Sequence, residues 1–523
     1  MACLAPGRRL LPFALLVGLA VPARAQLPPL TVPRGQIRLD FSGGFADWSE
    51  RYRDGRKEAA AGDFLRDPVD AGWLPELAAL ETSLGRILGT SPAGLSLGRT
   101  RSQLLVNTGT AGIGLAFGLT SRLTIFGTVP FVRVKVQNTF DLDSAGSTLG
   151  LNPAHPVFGT VGGQTQAGAL LAELDLVLAE LQTRIQAGFY DADPPTKAVA
   201  EATLLRGADI RAELGGLLTG GAAVFLPTLT SAPGTALTTT IEDLRTTFTT
   251  TLSIPGFVTA VPLPATRTSS GEFLDVATRP GGPYEFRPFP EPVITQLGDV
   301  ELGAAYRWLE SVPEGGGLAV RSVLMGTVRL GTAYLDRPDR LFDVSTGDHQ
   351  PDVQADLVTD LQAGRLGFRL TGRYVRQLAG EEQRRVTPRD QPLAGSALLA
   401  TLEHDPGDIV EVGVEPFYRI APTLALVTGV RYWSKGEDTW TYAAGSAPIP
   451  GVDAAILGAG SSQRAFALSG GISYVHSGLG KDGIPRLPMD ASLRYERVVS
   501  SSEGLVPRRQ AVTALLRFYR RLF

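Results

Sequence analysis

The sequence predicts an all-β protein, a transmembrane antiparallel β-barrel of about 12 strands, with a range of roughly 10 to 14, that carries a helical extracellular insertion. Three observations support this fold class. Apolar residues alternate with polar or small residues along many segments, which is the two-residue period of β-strands. The N-terminus has the features of an export signal. The connections between predicted strands are alternately short and long.

Residues 1–25 are the predicted Sec-type signal peptide. Arg8 and Arg9 precede the apolar run 10–21, and the small-x-small motif 23–25 stands before Gln26 as a cleavage site. The run is shorter than the roughly 20 residues that a membrane helix needs, so cleavage is favoured over a retained anchor. The sequence therefore predicts that residues 26–523 form a barrel in the outer membrane of a Gram-negative bacterium.

The composition of the mature chain excludes several kinds of partner and site. Without the three arginines of the signal, the 49 Lys and Arg fall to 46 against 52 Asp and Glu, which leaves no basic excess for nucleic acid. Cys3 is the only cysteine and leaves with the signal, so disulfides and thiolate metal sites are excluded. After the signal, no apolar run approaches the roughly 18 residues of a membrane helix, so spanning a membrane requires a barrel.

The first three predicted strands are separated by one long loop. Ile37, Leu39 and Phe41 alternate with polar residues in strand one, and the charged residues 49–100 follow as a loop with a helix after Pro75. Residues 105–137 predict a long hairpin that supplies strands two and three. Beyond Pro130 the apolar positions change from odd to even numbers, and this slip predicts a bulge at the proline.

The alternation returns after a long insertion and continues to the end of the chain. The remaining strands are predicted around residues 299–308, 318–330, 353–362, 365–374, 410–419, 424–433, 466–474 and 487–496, with a last strand that runs to Phe523. Connections after strands two, four, six and eight are short, whereas most after odd-numbered strands are long. This alternation indicates short periplasmic turns and long external loops.

Aromatic residues near strand ends distinguish the membrane barrel from a secreted β-sandwich. A sandwich would also show alternating strands, but it gives no reason for aromatic residues to collect at strand ends. In a barrel they form girdles at the two membrane interfaces. The predicted girdle residues are Tyr306, Trp308, Tyr374, Tyr418, Tyr432, Tyr474, Tyr495 and Phe518.

Two segments carry a family resemblance. GLTSRLTIFGTVPFVRV (118–134) and LGDVELGAAYRW (297–308) look like the paired signatures of the outer-membrane barrels grouped with the meta-pathway phenol-degradation proteins. That group is related to the long-chain fatty acid and aromatic hydrocarbon channels. The resemblance implies passage or binding of small, hydrophobic molecules at the outer membrane, with no cofactor and no transferable substrate-contacting residues.

The end of the chain suggests a partner besides the lipid bilayer. Phe523 with Tyr519 four residues earlier resembles the C-terminal signal that the outer-membrane assembly machinery reads. Arg517 and Arg521 depart from that signal, because apolar residues are usual at those positions. In addition, the apolar residues of this strand are at even positions, whereas Tyr519 and Phe523 are at odd positions. The assembly machinery is therefore an expected partner, and the register of the last strand is left open.

The insertion 138–293 departs most from a plain barrel. Leucines at helical spacing predict an amphipathic helix over 167–188, and a second helix over 197–218 follows Pro194 and Pro195. Ile241, Leu244 and Phe248 suggest a weaker third helix. By strand parity the insertion begins outside the cell, where it could cap the barrel, plug its lumen or form a separate domain.

The charged residues on the polar face of the strands are the candidate site. They are predicted to line the lumen, either as a mutually neutralising network, which we favour at about 12 strands, or as a selectivity ring. These residues are Asp299, Glu301, Arg307, Arg321, Arg329, Asp356, Asp360, Arg365, Arg369, Arg373, Glu411, Glu415, Arg419, Arg431, Asp490, Arg494 and Glu496.

The sequence gives little support for catalysis or metal binding. The motif 94–98 matches G-x-S-x-G around Ser96, but it leads into a strand and has no nearby histidine. The four histidines lie in or beside predicted loops without metal-ligand spacing, and the calcium-loop pattern at Asp141 lacks its closing glutamate at Asn152. We therefore expect a transporter or channel rather than an enzyme, with a structural or adhesive barrel as the alternative and a hydrolase as the less favoured one.

Overall fold

The computed structural model describes residue 27 and residues 29–92, 94–219, 223–288, 293–313, 317–476 and 487–522. The predicted signal peptide and Phe523 lie outside these ranges. The largest sheet contains twelve long strands, β1 to β12 in chain order. They are Gln36–Trp48, Arg99–Gly118, Leu123–Asp143, Val300–Ser311, Leu318–Leu330, Asp352–Ala363, Leu366–Gln377, Ile409–Ala421, Leu424–Lys435, Gln463–His476, Met489–Glu503 and Gln510–Arg521.

These strands form a closed antiparallel barrel. Each strand pairs with its neighbours in the chain, and β12 pairs with β1 to close the ring. Phe41 of β1, for example, lies opposite both Leu516 of β12 and Ile113 of β2. The topology confirms the predicted fold class and the predicted strand number, and closure leaves no free edge in the ring.

The outer face of the barrel is apolar. Leu39, Ile113 and Leu324 have 40%, 55% and 48% of their surface exposed. Because apolar surface costs about 25 cal/mol per Å² in water, so large an apolar face is stable only in a bilayer. Among the predicted girdle residues, Trp308 and Tyr418 lie near the end of the barrel with short turns, and Tyr374 lies near the opposite end.

The two ends of the barrel differ in the length of their connections. The turns 119–122, 364–365 and 422–423 are at one end, which we call the lower end, together with the start of β1 and the end of β12. The connections 49–98, 144–299, 331–351, 378–408 and 436–462 are all at the upper end. This confirms the predicted alternation of short and long connections. Among the described helices, none is long and apolar enough to cross a bilayer.

The described residues of the first two upper connections form five helices. They are α1 Pro75–Leu88, α2 Val161–Gln186, α3 Pro194–Leu218, α4 Ala232–Thr246, which continues into a π-helical turn Thr247–Thr251, and α5 Ser270–Thr278. The side chains of Thr160, Asp193, Ser231 and Ser269 cap helices α2 to α5 at their N-termini. The helices predicted after Pro75 and within the insertion are confirmed, while α5 was not predicted.

The helices share one core that joins both connections. Leu77, Leu80 and Leu84 of α1 are almost completely buried and belong to the same apolar cluster as Leu170 and Leu174 of α2. We call this body, α1 together with α2 to α5 and the described residues of 144–288 that connect them, the helical domain. Its shared core means that the first and second upper connections fold against each other rather than separately.

Shorter strands complete the upper end. Gly380–Arg385, Leu399–Asp405 and Thr439–Tyr442 form one sheet, Glu50–Arg53, Arg56–Ala59 and Leu505–Pro507 form another, and Leu149–Leu151 pairs with Phe225–Pro227. Ile294–Leu297 pairs with β3 above the point where β4 begins. Short 3-10 turns lie at Gly62–Phe64, Ser396–Leu398 and Ala454–Leu457.

The predicted bulge at Pro130 is wrong for its own strand. The pairing of β2 with β3 is continuous through Pro130, which lies opposite Gly112. The even positions become apolar because Val134 and Val136 pack inward against Val106 and Phe342. Above the membrane the outer face meets water and the inner face meets a packed core, so the apolar side changes while the strand remains regular.

One extra residue does lie beside Pro130, but it belongs to the neighbouring segment, residues 298–300. Thr128 pairs with Glu301, and Phe131 pairs with Leu297. Three residues, 298–300, therefore lie opposite only two residues of β3, 129 and 130. Gly298 N–H donates to the Pro130 carbonyl at 2.9 Å. The irregularity therefore belongs to the entry into β4.

The register of the last strand follows its apolar row. Val512 is exposed on the outer face, while Tyr519 is only 7% exposed and donates from its hydroxyl to Asp490 Oδ2 at 2.5 Å. Arg517 Nε lies 3.7 Å from Asp40 Oδ1 on the same inner side. Tyr519 and Arg517 thus face inward, whereas the apolar residues of this strand face outward. In an assembly signal the aromatic residues would face outward, so Tyr519 lies on the other side of the strand.

Candidate functional site

The face of the strands opposite the apolar rows carries charged and amide side chains. Because adjacent strand residues point to opposite faces, this is the inner face of the closed barrel. Asp356 is only 3% exposed, and Gln354, which precedes it on the same face, donates to Asp356 Oδ2 at 2.6 Å. We call the ion pairs on this face the inner charge network.

Some of these pairs reach between strands that are not neighbours. Arg494 of β11 lies 2.5 Å from Glu415 of β8, with two strands between them. Arg431 of β9 contacts Glu411 of β8 at 3.0 Å and Glu496 of β11 at 2.6 Å. Contacts of this kind connect separate parts of the wall through the interior.

Other pairs join neighbouring strands. Arg373 Nε lies 2.6 Å from Asp356 Oδ1, and Arg373 Nη1 lies 3.9 Å from Glu411. Arg369 makes a two-pronged contact with Asp360, with distances of 2.7 and 2.8 Å. Bidentate pairs of this type fix the geometry of both side chains and leave neither charge isolated.

At the lower end the predicted residues have different roles. Arg307 and Arg321 both contact Glu310, at 2.9 and 2.6 Å. Arg365 is exposed in the turn between β6 and β7, and Arg419 donates from its guanidinium to the carbonyl of Gly364 in that turn. The structure therefore places Arg365 and Arg419 at the turn rather than among the ion pairs of the interior.

At the upper end a carboxylate-rich group surrounds Arg329. Arg329 lies 3.2 Å from Asp352 and 3.7 Å from Glu301. Asp299, just before β4, accepts a hydrogen bond from Ala333 N–H at 3.0 Å. Burial raises the pKa of Asp299, and the nearby Asp348 carboxylate raises it further.

The N-terminal segment before β1 enters the same interior, which the sequence did not predict. Val32 is buried, and its N–H donates to Thr124 Oγ1 of β3 at 2.8 Å. Leu27 is also buried and packs in a cluster with Phe417, Ala425 and Val427 of β8 and β9.

The segment therefore crosses the lower end of the barrel. Strand β3 and the pair β8 and β9 are on opposite sides of the twelve-stranded ring. Arg38 Nη1 donates to the Pro29 carbonyl at 3.3 Å, and its Nε lies 2.7 Å from Asp40. Apolar residues in an irregular segment carry no period, so nothing local in the sequence indicated this position.

Two histidines expected to be solvated are shielded from solvent instead, since His155 is buried and His404 is half-buried. His155, within the helical domain, is 8% exposed. The ring of His404 stacks on Trp440 with centroids 3.8 Å apart, and its nitrogens lie 3.2 Å from Glu382 and 3.7 Å from Asp438. Burial lowers the pKa of His404, but the bonds to Asp438 and Glu382 outweigh burial, so its pKa is raised.

The catalytic and calcium motifs have structural roles. Ser96 is buried, and its hydroxyl accepts from Gly98 N–H at 3.0 Å within the turn before β2. Asn152 is fully buried and donates to the carbonyls of Leu217 and Ala223. Across the described ranges, no group of three His, Asp or Glu side chains is arranged to hold a metal ion.

Comparisons with known proteins give similarities of low score. No family model matches the sequence, and no curated protein matches it. The chain is similar to the COG4313 outer membrane channel from Pseudomonas putida F1, with TM-score 0.41, 9% identity and coverage of 95% of this chain and 99% of that one. It is also similar to a Pseudomonas aeruginosa FadL homologue (TM-score 0.25, 8% identity, 94% and 91% covered) and to the CymD monoaromatic hydrocarbon channel (0.25, 9%, 94% and 89%).

Proposed function

We propose that the protein is an outer-membrane transporter or channel for small, hydrophobic or aromatic compounds, and that its barrel is closed at rest. The observation that carries the proposal is the N-terminal segment across the lower end, with Leu27 held by Phe417 and Val427. A segment held by a few apolar contacts can leave at low cost, because each such side chain contributes about 2 kcal/mol.

The inner charge network supports a closed, weakly selective pathway. Arg494 with Glu415 and Arg431 with Glu411 and Glu496 are paired inside the wall. Paired charges create no net field for anions or cations, so an ion-selective porin is disfavoured. The substrate class is proposed from the resemblance of 118–134 and 297–308 to the meta-pathway barrels.

The outer membrane is the proposed location. A closed barrel with an apolar outer face and long connections at one end is typical of bacterial outer membranes. Export by residues 1–25 and insertion by the assembly machinery through the last strand belong to the same proposal.

Conductance in a planar bilayer tests the proposal. We expect the refolded mature protein to conduct weakly or in brief openings, because residue 27 and residues 29–33 lie across the lower end. A variant that lacks residues 26–33 should conduct steadily. The control replaces residues 26–33 by a Gly-Ser segment of equal length, which keeps the chain length but removes the contacts of Leu27 and Val32, and should behave like the deletion.

Two outcomes would contradict the proposal. Steady conductance of the intact protein, unchanged by the deletion, would indicate an open porin. Silence of all three proteins, together with no uptake of a labelled aromatic compound into proteoliposomes, would indicate a filled barrel and favour a structural or adhesive role.

A further inference from the structure

A cleft of about 590 Å³ lies in the helical domain, outside the barrel. Its walls are formed by α1, by the turn at residues 155–157, by the end of α3 and by the segments 223–225 and 281–283. Leu77, Leu80, Leu217 and Phe225 are almost fully buried and line it. Both the volume and the apolar walls are those of a site for a small molecule.

Three polar side chains line this mainly apolar cleft, Glu76, Ser83 and His155, and Glu76 and His155 have opposite hydrogen-bonding character. The carboxylate of Glu76 accepts one hydrogen bond, from Tyr284 Oη at 2.9 Å, and a carboxylate has capacity for more. His155 Nδ1 accepts from the N–H groups of Val157 and Phe158 at 3.1 and 3.2 Å. A neutral His155 therefore carries its proton on Nε2, which is a donor.

The charges decide which ligand fits. Among the described residues that line the cleft, none is a lysine or an arginine. An anionic ligand would meet Glu76 without a compensating cation. An ammonium ligand could donate to Glu76 but would offer no acceptor to His155 Nε2. A hydroxyl group can do both, since it donates one hydrogen bond and accepts others.

We propose that this cleft is a binding site for an uncharged, mainly apolar alcohol, whose hydroxyl donates to Glu76 and accepts from His155 Nε2. Burial lowers the pKa of His155 and so favours the neutral ring that donates from Nε2. Burial also raises the pKa of Glu76, so the accepting carboxylate is the form present above that pKa, and binding should weaken when the pH falls below it. The inference concerns binding at the upper end alone. It holds or fails independently of conduction through the barrel.

Three probes with one ring system test the head group. They are 2-naphthol, naphthalene and 2-naphthoate, titrated by calorimetry into the refolded full-length protein in lipid nanodiscs. We expect 2-naphthol to bind at one site and about tenfold or more tighter than naphthalene, because a hydrogen bond to a charged group is gained. Binding of 2-naphthoate should be weaker than that of 2-naphthol by a similar factor.

Two variants locate the binding site. Gly216 lines the cleft and has open space where a Cβ would be added, so Gly216→Phe should abolish the specific heat of 2-naphthol binding. Gly168→Phe is the matched control, since Gly168 is an exposed glycine of α2 with open space and does not line the cleft. Nonspecific partition of 2-naphthol into the nanodisc lipid should be the same for both variants.

A third variant tests the carboxylate. Glu76→Gln should reduce the preference for 2-naphthol over 2-naphthoate by about tenfold, because the repelling charge is removed. The proposal is overturned if wild-type protein binds 2-naphthoate as tightly as 2-naphthol. It is also overturned if Gly216→Phe and Gly168→Phe bind 2-naphthol equally well.

Discussion

Arg431 shows how single residues hold the interior of the barrel. It contacts Glu411 on one strand and Glu496 on another, and its guanidinium also lies 4.8 Å from the Trp433 ring. Without the arginine, Glu496 would lose this ion pair, and Glu411 would keep only its 3.9 Å contact with Arg373. The alternation of the sequence indicated that these residues share a face, but not which charges would meet.

The variant Arg431→Met should lower the free energy of unfolding by about 1 to 3 kcal/mol, because Glu411 and Glu496 both lose the arginine that hydrogen-bonds them. Guanidinium unfolding in lipid vesicles, followed by tryptophan fluorescence, measures this loss. Adding Glu411→Gln and Glu496→Gln should restore part of it. The control Arg365→Met, in the exposed turn, should change stability by less than about 0.5 kcal/mol. Equal effects of the two arginine variants would contradict the role of the pairs.

His404 should respond to pH. Its pKa is raised in the folded protein, so its contribution to stability is full below the ordinary value of about 6.5 and is lost as pH rises through the folded pKa. Because the ring stacks on Trp440, a fluorescence titration should show a transition with a midpoint above about 6.5. The variants His404→Gln and Trp440→Phe should each remove this transition, and His476→Gln should keep it. A midpoint below 6.5 would contradict the assignment.

At the scale of elements, β3 passes through two environments without a break. Its lower half places Ile125 and Val129 outward, toward lipid, whereas its upper half places Val134 and Val136 inward, toward a packed core. The sequence pattern assumes that one side of a strand is apolar along its whole length. Where a strand leaves the membrane, its apolar side changes, and the pattern attributes that change to a bulge. The period itself is correct throughout.

Val134→Ala should therefore cost more than Val129→Ala. Val134 is 1% exposed and packs with Val106 and Phe342, so we expect a loss of about 1 to 3 kcal/mol. Val129 is 38% exposed on the outer face and should cost about 0.5 kcal/mol or less. Unfolding in vesicles compares the two variants. Equal losses would indicate that β3 faces one environment along its length.

The helices differ in how far their sequences predicted them. Leucine spacing predicted α1, α2 and α3. The predicted start of α3, at 197, was three residues late, and that of α2, at 167, was six residues late. The short α5 was missed, although Ser269 and Glu272 form a capping box that signals its start. Nine residues contain too few apolar positions to establish a helical period.

At the scale of the whole molecule, the barrel was predictable and its contents were not. Alternation and loop length gave twelve strands and their direction, because both are local properties of the chain. The crossing of the lower end brings Leu27 to Phe417 and Val427, and the shared helical core places Leu80 and Leu170 in one apolar cluster. Contacts between residues so far apart in sequence leave no local pattern.

The shared helical core predicts the result of removing the insertion. A variant in which a short linker replaces residues 144–299 would expose Leu77, Leu80 and Leu84 of α1 to water. We expect that variant to aggregate on refolding. A second variant that also lacks residues 66–96 should refold and show the heat-modifiable mobility of a barrel on gels. Equally efficient refolding of both would show that α1 is stable without the insertion.

The position of Leu27 has a practical consequence for anyone who labels the protein. A tag fused directly before this residue starts within the lower mouth, between walls formed by β3 and by β8 with β9. Such a tag must thread outward past Arg38 or pull the segment away from its contacts. An affinity tag there consequently perturbs the mouth of the barrel, whereas a tag in the exposed region around Pro448 would leave the mouth untouched.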